Sequence, residues 1–119
     1  YILGATGTRM DHTITNIGNM KVAADCGKDC HIVDEHNYIY LLSEADGIHI
    51  IRKDSQYGRY VSIIPMSENV SLSLEGFKYT LDNYELKQGL SICQSNEVED
   101  EQGIIKVHKG LIIVLETKD

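Results

Sequence analysis

Cysteine is scarce in this chain of 119 residues: the three present, Cys26, Cys30 and Cys93, are an odd and sparse set for a secreted disulfide scaffold. A reducing, cytoplasmic setting is the expectation that follows. Cys26, Cys30 and His31 lie close in sequence, but no fourth ligand follows at a recognisable spacing, so a tetrahedral zinc site is not expected. Long hydrophobic runs are also lacking. No stretch approaches the roughly 18–20 apolar residues that cross a bilayer, and no basic, apolar, small-residue pattern opens the chain. Neither a membrane span nor a signal peptide is expected. Basic residues are the minority charge, 11 Lys and Arg against 18 Asp and Glu, for a formal net charge of −7. That sign repels a phosphate polymer and argues against non-specific nucleic-acid binding, while a single nucleotide held through Mg²⁺ stays compatible with it. There is one proline, no internal repeat and no low-complexity tract.

What is present begins with a junction. Tyr1 to Leu3 are apolar and β-prone, Gly4 and Gly7 permit unusual backbone angles, and Arg9, Asp11 and His12 stand beside the start of a helix. Met10, Ile14, Ile17, Met20 and Ala24 recur at intervals of four and three, which predicts a helix from about Asp11 to Ala24 with one buried stripe. Gly27 is placed to stop it. The chain opens already inside a strand pattern, and one strand–loop–helix unit cannot bury both faces of its strand. An upstream half is therefore expected.

After Gly27 the pattern changes to short β-branched and aromatic runs: Tyr38 to Leu42, Ile48 to Arg52, Tyr60 to Ile64, Val70 to Leu74, Leu90 to Cys93, Ile104 to His108 and Leu111 to Glu116. Val70, Leu72 and Leu74 alternate with polar residues, the period of a strand with one wet face. Lys109-Gly110 is a plausible hairpin turn. The expected fold is mainly β: an antiparallel β-sandwich, or a barrel satisfying the same pattern, preceded by one strand–loop–helix unit of an α/β domain. Residues 1–27 are assigned to that unit and residues 28–119 to the sandwich.

Backbone N–H groups at a helix start favour anions, and an arginine holds two phosphate oxygens with one planar fork, so Arg9 suits a phosphate clamp. Asp11 offers carboxylate oxygen to Mg²⁺, and His12 can orient Asp11 or the loop. The bland alternative stands beside this: Asp11 as a helix cap and Arg9 as a solvated charge. Farther on lies Glu75-Gly-Phe-Lys-Tyr-Thr-Leu-Asp-Asn83, followed by Ser91-Ile-Cys-Gln-Ser-Asn-Glu97. Phe77 and Tyr79 are either core aromatics or a stacking surface, and Ser95 and Asn96 either a turn pair or ligand-recognising polar groups. The acidic group Glu97, Glu99, Asp100 and Glu101 lacks the ligand pattern of a calcium loop and is expected to be solvated. Ser43, His49 and Asp54 lack the surroundings of a nucleophile elbow. His31, His36, His49 and His108 are expected at surface or satisfied positions.

Gly7-Thr-Arg-Met-Asp-His12 and Gly76-Phe-Lys-Tyr-Thr-Leu81 with Ser95-Asn-Glu97, in this order and separation, resemble the C-terminal portion of the thiamine pyrophosphokinase (thiamine diphosphokinase) family. That family carries a G-x-R-x-D-H motif before a helix and a later G-L-K-[WY]-x-L segment followed by S-N. The resemblance implies transfer of a diphosphoryl group from ATP to thiamine, giving thiamine diphosphate and AMP, with Mg²⁺ as cofactor and a homodimer holding sites between subunits. It implies catalytic roles for Arg9, Asp11 and His12, with Asp11 the metal ligand, and thiamine contacts from Phe77, Tyr79, Ser95 and Asn96. Phe77 stands where leucine is common, and Thr8 where many members have a second glycine. The family's aspartate-rich loop has no counterpart beside Asp11. The rival function is a non-catalytic ligand-binding or assembly β-sandwich lacking the nucleotide half.

Overall fold

Alternating apolar residues in the second part of the chain close two antiparallel sheets over one core. The computed structural model describes residues 1–3, 10–89 and 92–119. In chain order the elements are β1 (Ile2–Leu3), α1 (Met10–Asp25), β2 (Ile32–Val33), β3 (Asn37–Ser43), β4 (Ile48–Arg52), β5 (Tyr60–Pro65), β6 (Val70–Glu75), β7 (Leu81–Leu86), β8 (Asn96–Glu97), β9 (Gln102–Lys109) and β10 (Leu111–Thr117). A short 3₁₀ turn, Glu44–Asp46, joins β3 to β4. One sheet has the strand order β1-β2-β3-β10-β5-β8 and the other β4-β9-β6-β7, so the fold is a sandwich and not a barrel. No helix of the described residues is long and apolar enough to cross a membrane.

Between the sheets lie Tyr40, Leu42, Val61, Ile63, Leu72, Leu74, Phe77, Ile105, Val107, Ile112 and Val114, with further buried neighbours. Each such aliphatic side chain contributes roughly 1.5–3 kcal/mol by leaving water. A second, smaller core lies on the outer face of the six-stranded sheet, where Met20 of α1 packs with Ile32, Ile39 and Ile113. β10 is thus covered on both sides, which is why Leu111 to Leu115 form an unbroken apolar run instead of alternating. β1 joins the same sheet by pairing parallel with β2, Ile2 opposite Ile32.

Several expectations need correction. Lys109-Gly110 is not a hairpin: β9 pairs with β4 and β6, β10 with β3 and β5, so the chain changes sheets at this point. Gly110 makes that corner with φ of 90°, and a Cβ there would stand 2.9 Å from Ser67 Oγ and Val70 Cγ2. No strand covers Ile92 and Cys93, which lie in a turn, while Leu90 and Ser91 fall outside the described residues. β7 was not expected. Its apolar residues Leu81 and Tyr84 are three apart because Asp82 and Asn83 bulge where Leu72 pairs with Tyr84 and Leu74 with Leu81, breaking the period of two. Asn83, at φ 45°, donates its N–H to Ser73 Oγ at 2.8 Å and so closes the gap in the ladder.

The helical stripe is only partly covered. Ile17 and Met20 reach the sheet, whereas Met10 is 68% and Ile14 62% exposed. α1 packs on β3 through Ile17 and Met20.

Candidate functional site

At the edge formed by β7 and β8 the sandwich opens into a cavity of about 310 Å³, near the lower end of the roughly 300–1,000 Å³ usual for small-molecule sites. Leu74 and Cys93 form its apolar floor, Tyr79 and Ile92 its exposed walls, and Thr80, Gln94 and Asn96 its polar groups. Burial pushes the Cys93 thiol up to about 11, so it stays protonated and unreactive near neutral pH.

Local hydrogen bonding places Tyr79. After β6 the chain turns at Gly76, Phe77 bridges to Val98, and Lys78 donates its N–H to the Glu97 carbonyl at 2.8 Å. Asn96 continues this pairing with its side chain: Oδ1 accepts from Tyr79 N at 3.0 Å and from Glu97 N at 2.9 Å, and Nδ2 donates to Tyr79 O at 2.8 Å. Only 3% exposed, Asn96 positions the segment that carries the ring. The Tyr79 ring itself stays 59% exposed, with Lys78 Nζ 5.7 Å from its centroid. It offers an electron-rich face for a planar or cationic ligand.

The other expected contacts divide. Ser95 is exposed and, unlike its neighbours Gln94 and Asn96, does not line the cavity; it is held at φ 55° while its N–H donates to Ser62 Oγ at 3.0 Å. Phe77 is 3% exposed and belongs to the core, its ring lying against Gly103. On the far side of β8, Arg59 Nε meets Glu97 Oε1 at 2.7 Å, and that hydrogen bond holds the Glu97 carboxyl below the usual range. Leu74, Ile92 and Gln94 line the cavity without having been singled out from sequence. Leu74 was legible as an inward position of β6, but nothing local marks Ile92.

Arg9 lies outside the described residues. Asp11 and His12 are exposed in the first turn of α1, where Asp11 Oδ1 accepts from His12 N at 2.9 Å. Neither lines the Tyr79 cavity. Among the described residues no three His, Cys, Asp or Glu side chains are gathered to hold a metal ion. Asp11 fits Mg²⁺ only as one carboxylate to be completed by phosphate oxygens, the usual manner for that cation. The rejected triad stays apart in role: Ser43 Oγ accepts from Ala45 N in the 3₁₀ turn, and His49 bonds to Tyr40. His31 and His108 have hydroxyl partners in Tyr38 and Ser73.

A family model described as thiamin pyrophosphokinase, vitamin B1 binding domain, matches residues 48–112, a span holding most of the sandwich and the whole Tyr79 cavity. The chain belongs to this family. It is 34% identical to the thiamine pyrophosphokinase of Bacillus subtilis (strain 168) over 119 residues, covering 99% of this chain and 54% of that protein. Thiamine pyrophosphokinase 1 of Oryza sativa subsp. japonica is 32% identical over 118 residues, 93% of this chain and 42% of the relative. The crystal structure of the Bacillus subtilis protein superposes with a TM-score of 0.90, covering 99% of this chain and 55% of that one. That of Geobacillus thermodenitrificans thiamin pyrophosphokinase gives 0.85 at 32% identity, covering 98% and 53%. The chain spans about half the length of these family members. The resemblance to the C-terminal portion of thiamine pyrophosphokinases is thus shown, together with the β-sandwich fold.

Proposed function

We propose that this chain is the thiamine-binding and dimerising lobe of a thiamine diphosphokinase, which transfers a diphosphoryl group from ATP to thiamine. The thiamine hydroxyl oxygen bonds to the β-phosphorus of ATP and loses its proton, the bond between that phosphorus and the α-phosphate oxygen breaks, and AMP leaves. The observation that carries this is the Tyr79 cavity, which lies within the segment matched to the vitamin B1 binding domain. Tyr79 stacks on one flat ring of thiamine, and Ser95, Gln94 and Thr80 meet its polar edges. Asn96 holds Tyr79 in place. The core packing of Phe77 supports the loop from beneath.

In this reading residues 1–27 end an α/β nucleotide-binding half and residues 28–119 form the thiamine-binding sandwich. Arg9 clamps ATP phosphates, Asp11 supplies one oxygen ligand to Mg²⁺, and His12 orients Asp11. The exposed Met10 and Ile14 face of α1 is what such a half would cover. Asp11 does not line the Tyr79 cavity of its own chain, which supports a homodimer whose sites form between subunits. Ile48 and Ile50, 59% and 47% exposed on β4, supply apolar surface for such contacts. The setting is the cytoplasm. The rival reading is a non-catalytic ligand-binding or assembly β-sandwich that lacks the nucleotide half.

Calorimetric titration with thiamine tests the binding reading: saturable binding that Tyr79→Ala weakens is expected, and no heat at millimolar thiamine overturns it. For the catalytic reading, Asp11→Asn in the full-length enzyme is expected to collapse AMP release. A wild-type rate there removes Asp11 from the mechanism.

A further inference from the structure

Gly18 stands in the middle of α1, where no turn or close approach among the described residues makes use of its missing side chain. It is not one of the glycines at positive φ, and a Cβ built on it meets no described atom within 4 Å. Glycine is a weak helix former, because it gives up the most backbone freedom on folding. Its neighbours at intervals of four are apolar and exposed. Met10, Ile14, Gly18 and Val22 form one inclined row along the helix, and Val22 is 62% exposed, as Ile14 is. Met20, which fixes α1 to the sheet, is two residues from Gly18 and so points to nearly the opposite side of a helix with 3.6 residues per turn. The outward row is therefore an apolar ridge with a notch in it.

Such a ridge fits a second α-helix, whose own row of side chains enters the groove and whose backbone comes closest over the residue without a side chain. The topology says where that helix comes from. β1, which precedes α1, pairs parallel with β2. Parallel strands are joined by crossover helices, and these lie side by side over the faces of the sheet, so a helix that follows a parallel strand has a helical neighbour. Among the described residues α1 is the only α-helix. The family members described above have nearly as many residues again outside the part that this chain covers.

We propose that the Met10, Ile14, Gly18 and Val22 row seats an apolar α-helix of the α/β half, which crosses α1 at Gly18. This rests on the reading of the chain as one lobe of a two-part enzyme, and adds the residue where the two parts approach most closely. Rows at intervals of four interlock at a crossing angle of about −50°, with axes roughly 8–10 Å apart. Ile17 and Met20 hold the other side of α1 on β3, so the helix is a strut shared by both parts. Asp11 and His12 lie on the first turn of that strut, and the seating fixes where they stand relative to the nucleotide half.

The test compares Gly18→Leu in this chain and in the full-length protein, by thermal unfolding and amide hydrogen exchange. In this chain the midpoint should rise by about 3–5 °C, since leucine is the better helix former and meets nothing. In the full-length protein it should fall by about 4 °C or more, with faster exchange along α1, because the side chain overfills the crossing. Should that variant fail to fold, Gly18→Ala carries the comparison, with the same opposite signs. Equal gains in both proteins overturn the proposal, and so does a loss of stability in this chain alone. A concentration-dependent dimer of this chain that Ile14→Glu dissolves assigns the row to a second copy and overturns it as well. Absence of thiamine binding with the opposite shifts intact overturns only the thiamine reading.

Discussion

Asn96 holds Tyr79 from both sides, its Oδ1 3.0 Å from Tyr79 N and its Nδ2 2.8 Å from Tyr79 O, so that one side chain does the work of a strand neighbour. The pairing is buried at Asn96 and exposed at the Tyr79 ring, which ties the stability of the loop to the shape of the cavity. Asn96→Ala is expected to lower stability by about 2 kcal/mol, since each lost hydrogen bond is worth roughly 0.5–1.5 kcal/mol. It should also weaken thiamine binding. Asn96→Asp keeps the acceptor but turns an oxygen on the Tyr79 carbonyl, and a similar loss in urea denaturation is expected.

Tyr79 itself separates binding from folding. Its ring is 59% exposed, so Tyr79→Ala should leave the denaturation midpoint nearly unchanged. Thiamine affinity should fall by about 1–2 kcal/mol, the range of a cation–π and stacking contact. Ser95→Ala is expected to cost about 1 kcal/mol of affinity if its hydroxyl makes one hydrogen bond to the ligand. Calorimetry alongside urea titration checks both, and a Tyr79→Ala protein that unfolds early would place the ring in the core instead.

Phe77 and Gly103 are matched in volume. A Cβ on Gly103 would stand 2.7 Å from Phe77 Cζ, too close for either to stay in place. Gly103→Ala should destabilise by about 1–3 kcal/mol through overpacking. Adding Phe77→Leu should recover part of that loss, because the shorter side chain vacates the contested space. Additive losses in the double variant would show that the clash is relieved elsewhere.

The pH dependence of stability follows from His49. Its folded pKa lies below the unfolded value because burial disfavours the imidazolium, so the unfolded chain takes up a proton first on acidification. Its contribution is full above about pH 6.5, the unfolded histidine value, and is lost as pH falls towards the folded pKa. His49→Gln retains an N–H for Tyr40 without titrating. Its stability curve from pH 7.5 to 5 should be flatter than that of the native chain, and a parallel curve would assign the acid sensitivity to other groups.

Local pattern was enough to place α1 within a residue at each end and six of the strands, because a helix with an apolar stripe and strands with one dry face carry their period in adjacent residues. Gly76-Phe-Lys-Tyr79 and Ser95-Asn96 also stood out in the sequence as a pair of segments, and the fold does bring Tyr79 and Asn96 into contact. Which side chain does what was decided elsewhere. Phe77 and Tyr79 are equivalent as residue types, and only their places, one against Gly103 between the sheets and the other over an open edge, separate core from ligand surface.

Periodicity by itself pointed to a mainly β fold after one helix, since that depends on short-range pattern, and the family and candidate segments came from the resemblance of two motifs to known members. Strand partnership was beyond their reach. The corner at Gly110, the bulge at Asn83 and the meeting of Tyr40, His49 and Glu116 come from pairings between distant parts of the chain. Those pairings are chosen by the packing of two whole sheets, a property of the assembled core that no local stretch of sequence contains.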